Sequence, residues 1–145
     1  MVVWSDPAPI SNLFPVAVDE QLLSSSWAGD DDEFDHALCQ GASVAARDIS
    51  GTTPLHYAAA SGDAHLVRRL ILLGAEVDAA NNGGMTPLLM AAMNNHADVL
   101  QILLYEGARP TDEDLDSARR VNANRAAAIL RQWREGITTE NDESW

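Results

Sequence analysis

The sequence contains no lysine, and its nine basic residues, all arginine, are outnumbered by 22 aspartate and glutamate residues. The absence of lysine alone indicates no function, but the formal net charge is −13 at pH 7. A strongly negative protein repels nucleic-acid phosphates and anionic lipid headgroups and favours basic protein partners. We therefore expect no nucleic-acid ligand and no attachment to acidic membranes.

Cysteine is nearly absent as well, since Cys39 stands alone and no disulfide can form within the chain. This usage is typical of a reducing compartment. No segment reaches the roughly 20 apolar residues of a membrane span, and the start of the chain lacks the features of a signal or transit peptide. We expect an intracellular protein, cytoplasmic or nuclear, or in an organelle lumen if the sequence is a processed form.

The strongest pattern in the sequence is an internal repeat. With 145 residues, 46% of them hydrophobic, the chain is long enough for one domain with a real core. Residues 48–59 match residues 81–92 at a shift of 33, and residues 70–75 match residues 103–108 at the same shift. A fixed period of this length indicates a repeat architecture.

Each repeat contains signals for two helices. The Thr-Pro pairs at 53–54 and 86–87 place an N-cap hydroxyl before a proline at the first helical position. Gly74 and Gly107 stand where a second helix ends, and glycine adopts the left-handed backbone there without steric cost. Apolar residues at helical spacing form the core face of the second helix, namely Leu66, Val67, Leu70 and Ile71.

This unit resembles the ankyrin-repeat family, in which a hairpin turn is followed by two antiparallel helices. The family opens the first helix with Thr-Pro-Leu-His, which here is residues 53–56, and places Gly-Ala after the second helix. The resemblance implies an all-α solenoid of stacked helix pairs with short β-hairpin turns. It also implies protein binding without a cofactor.

The same register divides the chain into four repeats and two arms. The first repeat is degenerate, and the last shortens the register to 27 residues by losing its hairpin, with a charged outer surface that suits a terminal cap. We expect an N-terminal arm at 1–14, repeats at about 15–47, 48–80, 81–110 and 111–135, and an acidic C-terminal tail at 136–145.

Several residues suggest chemistry but have simpler interpretations. In the family's pattern, the histidine at position 56 ties neighbouring hairpins together. His65 and His96 have no second ligand at zinc spacing, and the Ser61, Asp63 and His65 group crowds one turn without a nucleophile elbow. We expect no catalytic residue, no metal and no cofactor.

Two further features also have structural interpretations. The acidic run 30–33 is either a docking patch or the start of a helix, where carboxylates satisfy free N–H groups, and we favour the latter. Cys39 aligns with Leu72, and we expect both on the inner face of a helix.

By the family resemblance, a partner binds the hairpin tips and the exposed side of the first helices. The candidate residues are Arg47, Asp48, Ile49, Thr52, Tyr57, Asn81, Asn82, Met85, Met90, Met93 and Asn94. Tyrosine and methionine suit such a surface, although Met90 and Met93 could equally fill core gaps. Trp4 and Trp145, outside the repeat register, are candidates for a second contact.

Two hypotheses for the function remain. The first is a non-catalytic adaptor or subunit of a larger hetero-complex, whose partner is basic or inserts an apolar element. The second is a regulatory inhibitor that masks a basic surface or an active site. An enzyme is disfavoured because no spaced set of acid, base, nucleophile or metal ligands is found.

Overall fold

A computed structural model describes the backbone of residues 15–143 and the side chains of residues 18–133. The N-terminal arm with Trp4, and Trp145, lie outside these residues. The described backbone forms eight α-helices and no strand. They are α1 (Pro15–Ala28), α2 (Asp31–Cys39), α3 (Pro54–Ser61), α4 (Ala64–Leu72), α5 (Pro87–Met93), α6 (Ala97–Tyr105), α7 (Asp112–Arg120) and α8 (Asn124–Glu143).

The helices form four consecutive pairs that stack in two rows. Helices α1, α3, α5 and α7 form a first row in which each helix packs on the next. The second helices of the pairs form the other row, where α4 packs on α6 and α6 on α8, with less extensive contact. The predicted all-α solenoid of helix pairs is confirmed.

The helix starts follow the predicted capping chemistry. Thr53 and Thr86 cap α3 and α5, and the Thr86 hydroxyl oxygen accepts a hydrogen bond from the Leu89 N–H at 3.2 Å. Asp30 caps α2 by accepting from the Glu33 N–H at 3.0 Å. The acidic run therefore begins a helix, as we favoured, because its carboxylates meet free N–H groups and the positive end of the helix dipole.

Glycines end two of the second helices, also as predicted. Gly74 has φ +98° and Gly107 has φ +101°, a region that side chains with a Cβ rarely adopt. The N–H of the next residue bonds back into the helix, from Ala75 to the Leu70 oxygen and from Ala108 to the Leu103 oxygen. These bonds satisfy carbonyls that the helix end would otherwise leave free.

The core consists of equivalent leucines stacked along the solenoid. Leu22, Leu55, Leu88 and Leu115 occupy one position of the four first helices, with 0%, 0%, 0% and 5% exposure. Leu70, Leu103 and Leu130 form a similar line in the second row, all fully buried. No single helix pair can bury such faces alone, so each repeat is stabilised by its neighbours.

The fourth pair caps the stack without a hairpin. Thr111 and Asp114 form a reciprocal capping box at the start of α7. Burial raises the pKa of Asp114, against the opposing effect of its hydrogen bonds from Thr111. Helix α8 continues to Glu143, beyond residue 135, so helical backbone extends into the segment that we assigned to the acidic tail.

One expectation about the second row was wrong. Cys39 and Leu72 do not lie on an inner face, because Cys39 is exposed and Leu72 is 86% exposed. Both residues stand at the last position of their helices, one position beyond the face that packs on the core. Leu72 is therefore an apolar residue on the surface of the protein and not part of the core.

Candidate partner-binding surface

The first turn tip, residues 47–52, is organised by Asp48. One carboxylate oxygen accepts hydrogen bonds from the Ser50 N–H at 2.8 Å and the Thr52 N–H at 3.0 Å, and the other accepts from the Tyr57 hydroxyl. Burial acts to raise the pKa of Asp48, but the bonds from Tyr57, Thr52 and Ser50 outweigh it and lower the pKa. Asp48 is therefore ionised, and its hydrogen bonds stabilise the first tip.

Tyr57, on helix α3, links the helix to Asp48 of the first tip. Its hydroxyl donates to Asp48, and this hydrogen bond, followed by burial, raises the pKa of Tyr57 to about 12. The phenol therefore stays neutral at physiological pH and keeps donating. Its ring remains partly exposed, so the same side chain holds the tip and contributes to the surface.

Asn81 performs the equivalent role in the second tip, residues 80–85. Its side-chain oxygen accepts from the Gly83 N–H at 2.9 Å and the Met85 N–H at 3.0 Å. Its amide nitrogen donates to the Thr52 hydroxyl at 3.3 Å, which reaches back to the first tip. An Asp and an Asn thus build the same turn, because each offers an oxygen to the N–H groups two and four residues further along the chain.

Further hydrogen bonds join the two tips. One Arg47 guanidinium nitrogen donates to the Gly51 and Ala80 carbonyl oxygens, each at 3.0 Å. The Asn82 side chain donates to the Ile49 oxygen at 3.0 Å, and its N–H donates to the Ser50 oxygen at 2.8 Å. The tips therefore form one continuous edge whose polar side chains are largely occupied internally.

His56 connects the repeats beneath the tips, as the resemblance implied. It is fully buried, and its Nε2 lies 2.8 Å from the Met85 oxygen in the next repeat. Its Nδ1 lies 3.1 Å from the Thr53 nitrogen, whose N–H it accepts. Nδ1 is therefore the acceptor and Nε2 carries the proton that binds Met85.

Three of the exposed apolar side chains lie at the first tip or on the first-row helices α1 and α5. Ile49 is 97% exposed at the first tip, Trp27 is 58% exposed on α1, and Met93 is 37% exposed at the end of α5. Trp27 meets Tyr57 edge to face, with ring centroids 6.1 Å apart and an interplanar angle of 76°. We call Trp27, Ile49, Tyr57 and Met93 the inner surface.

The sequence analysis did not place Trp27 on this surface. The signal was present, because the repeat shift of 33 aligns Trp27 with Ala60 and Met93 on successive first helices. The degenerate first repeat carries no Thr-Pro-Leu-His motif, so its sequence does not mark which positions lie on the surface. The structure adds Trp27 as an exposed ring in contact with Tyr57.

Other candidates lie near the inner surface with different exposure. Thr52 is only 5% exposed, so a partner would reach its neighbours and not its hydroxyl. Met90 is partly buried and packs against the core, and Met85, the last residue of the second tip, is partly buried. Asn94 is exposed and donates from its side chain to the Met90 oxygen at 2.8 Å. Contact of these residues with a partner stays a prediction.

The remaining histidine with a structural role also links repeats. His96 Nε2 lies 2.9 Å from the Ala60 oxygen, and its ring lies over Gly62, where a Cβ would come within 2.5 Å of Nδ1. Within the described residues, no group of three or more His, Cys, Asp or Glu side chains could hold a metal ion. No helix of this part is long and apolar enough to cross a membrane.

Stacked helix pairs with hydrogen-bonded turn tips define a repeat solenoid, a class of protein that presents an extended surface to partners. A family profile described as ankyrin repeats (3 copies) matches residues 22–114. No curated protein matches the chain. The chain belongs to the ankyrin-repeat family, and ankyrin repeats are protein–protein interaction modules.

Proposed function

We propose that this chain is a non-catalytic adaptor or subunit of a larger hetero-complex, and that it holds its partner on the inner surface. The observation that carries the proposal is that the polar side chains of the tips bind one another, whereas an apolar side chain faces solvent. Arg47, Asp48 and Asn81 are engaged in internal hydrogen bonds, whereas Ile49 projects with 97% exposure. A rigid edge that presents apolar groups loses little entropy on binding.

The composition of the inner surface suits a protein partner. Trp27 and Tyr57 are of the residue types that most often dominate interface energies, and each has a neighbour that limits its motion. The net charge of −13 adds an electrostatic preference for basic surfaces around this apolar centre. The partner we expect therefore inserts apolar side chains between Trp27 and Ile49 and carries basic residues at the rim.

The test is the native size of the tagged chain in extract of its own cells, with mass spectrometry of co-eluting proteins. A large, salt-resistant peak supports a constitutive subunit, whereas elution near 15.6 kDa argues against it.

Ile49→Asp should remove the partner, with a loss of affinity of roughly 30-fold or more, as expected for an interface hot spot.

A matched control is Leu73→Asp, the same change of chemistry at the C-cap of α4 in the second row, where Leu73 is 49% exposed. It should leave the complex intact. If the Ile49 and Leu73 variants behave alike, the inner surface is not where the partner binds.

The second candidate is a regulatory inhibitor that covers a basic surface or active site. Its support is the same excess of negative charge, which accelerates association with a basic target. The two functions differ in lifetime: an inhibitor forms a transient complex that lowers the activity of its target, and a subunit stays bound. Turnover by the isolated chain would overturn both.

A further inference from the structure

A second apolar surface lies on the opposite row of helices. A groove of about 570 Å³ opens between α4 and α6. Ile71 and Leu72 line it from α4, and Ile102 and Tyr105 line it from α6. We call these four residues the outer groove.

The outer groove is produced by the helical register. Ala64, Arg68, Ile71 and Leu72 follow one another on one face of α4 at spacings of four, three and one. Asp98, Gln101, Ile102 and Tyr105 follow one another on α6 at spacings of three, one and three. Residues three or four apart lie on the same side of a helix, so one side of α4 and one side of α6 border the groove.

Exposure of its apolar residues is the unusual feature. Leu72 is 86% exposed and Tyr105 is 85% exposed, although both stand at the same position of successive repeats and border the same groove. Isolated exposed apolar residues are ordinary, but contiguous ones mark contact surfaces. The inner surface does not account for them, because they lie on the other row.

The charges at the outer groove define what would fill it. Asp98 lies in the first turn of α6 and Glu106 at its end, so the two acids flank the apolar centre about 12 Å apart along the helix. Arg68 is the one basic lining residue, and among the described side chains none of these three forms an ion pair. The rim is therefore acidic at both ends.

We propose that the outer groove binds an amphipathic helix of a partner protein. This helix carries apolar residues on one face and two basic residues, one at each end of that face and about two turns apart. Such a helix places apolar anchors between α4 and α6 and its basic ends against Asp98 and Glu106. A second copy of this chain fits poorly, because it brings another −13 charges to an acidic rim. With the inner surface on the first row, the groove would let one chain hold two partners.

The experiment selects binders to the full chain from a displayed library of helical peptides of about 15 residues. The library fixes leucine at i, i+3 and i+7 and randomises the flanks. Recovered peptides should carry arginine or lysine at both ends of the apolar face. Their affinity, measured by fluorescence anisotropy, should fall at least tenfold on the variant Leu72→Gln with Tyr105→Gln, and should weaken with Asp98→Asn and with added salt.

The variants keep the proposal falsifiable. Glutamine is a good helix former, and both replaced side chains are exposed, so circular dichroism and the thermal midpoint should be unchanged. Ile49→Asp, which tests the inner surface, should leave peptide affinity unchanged, so the two surfaces can fail separately. The proposal is wrong if no peptide is recovered, if peptides bind the glutamine variant equally, or if the chain sediments as a dimer that this variant dissociates.

Discussion

The Nε2 atom of His56 lies 2.8 Å from the backbone oxygen of Met85, and this contact links the second repeat to the third. The N–H and hydroxyl of Thr53 approach Nδ1 at 3.1 Å and 2.8 Å, so the ring is bound on both sides. Protonation of Nδ1 would place two N–H donors face to face. Burial, opposed by the bond to Met85, lowers the pKa of His56 below its ordinary value of 6.5.

Stability should therefore fall as the pH drops below 6.5. The unfolded chain takes up a proton there and the folded chain does not, so the free energy of unfolding decreases by up to about 1.4 kcal/mol per pH unit until the folded pKa is reached. Asp48 affects stability at lower pH. Its lowered pKa adds stability above about pH 3.8, the ordinary pKa of the group, and this stability is lost only in stronger acid. Urea unfolding from pH 8 to pH 5 measures the slope.

The matched variant is His56→Leu, which copies Leu89, the residue at the same position of the next repeat. At pH 7 it should be about 1–3 kcal/mol less stable, because the buried Thr53 N–H loses its acceptor. Its stability should also change less between pH 6.5 and pH 5 than that of the natural chain. An unchanged slope would show that His56 is not the titrating group.

The hydrogen bond from Tyr57 to Asp48 should be measurable by absorbance. Asp48→Asn should bring the pKa of Tyr57 from about 12 back toward 10, seen as tyrosinate absorbance at lower pH, because the charged acceptor is gone. Tyr57→Phe should cost about 0.5–1.5 kcal/mol in urea unfolding, a value kept small by the partial exposure of the pair. If Asp48→Asn leaves the titration unmoved, the hydroxyl does not bind that carboxylate in solution.

Two glycines with similar backbone angles should respond differently to alanine. Gly74 has φ +98° with open space at its Cβ position, so Gly74→Ala should cost about 1–2 kcal/mol from backbone strain alone. Gly62 has φ +80° and lies under the His96 ring, so Gly62→Ala should cost more, since the ring must move from its bond to Ala60. Thermal unfolding of both variants measures the difference, and equal losses would contradict the His96 contact.

Two leucines on α4 test which face of that helix packs on the core. Leu70→Ala should cost about 2–5 kcal/mol, because Leu70 is fully buried in the second-row core. Leu72→Ala should change stability by no more than about 0.5 kcal/mol, because Leu72 is 86% exposed. Comparable losses in denaturant unfolding would mean that the outer groove is closed in solution.

Much of the helical framework could be predicted because its causes are local. The threonine caps at 53 and 86, the glycine ends at 74 and 107, and the stacked leucines all follow from contacts within one turn or from the repeat period. The link from His56 to the next tip followed from the family resemblance. Ile49 projects from the first tip and is exposed, and its contact with a partner stays a prediction.

The roles of individual surface residues could not be predicted in the same way. Contact of Arg47 and Asn82 with a partner stays a prediction, and both also form hydrogen bonds between tips that exist only when two repeats stack. Trp27 was not assigned to the surface because its contact with Tyr57 joins different repeats. Such contacts depend on the spacing between repeats, which no short sequence window contains.

By itself, the sequence determined that the chain is an acidic helical repeat protein, that helices begin after Thr53 and Thr86, and that two of the second helices end at glycine. Only the tertiary structure decided which side chains form hydrogen bonds within the protein and which remain exposed to solvent. Leu72 illustrates the physical reason. Its apolar character and helical register are local properties, but its exposure depends on the gap between α4 and α6, which the packing of whole repeats sets.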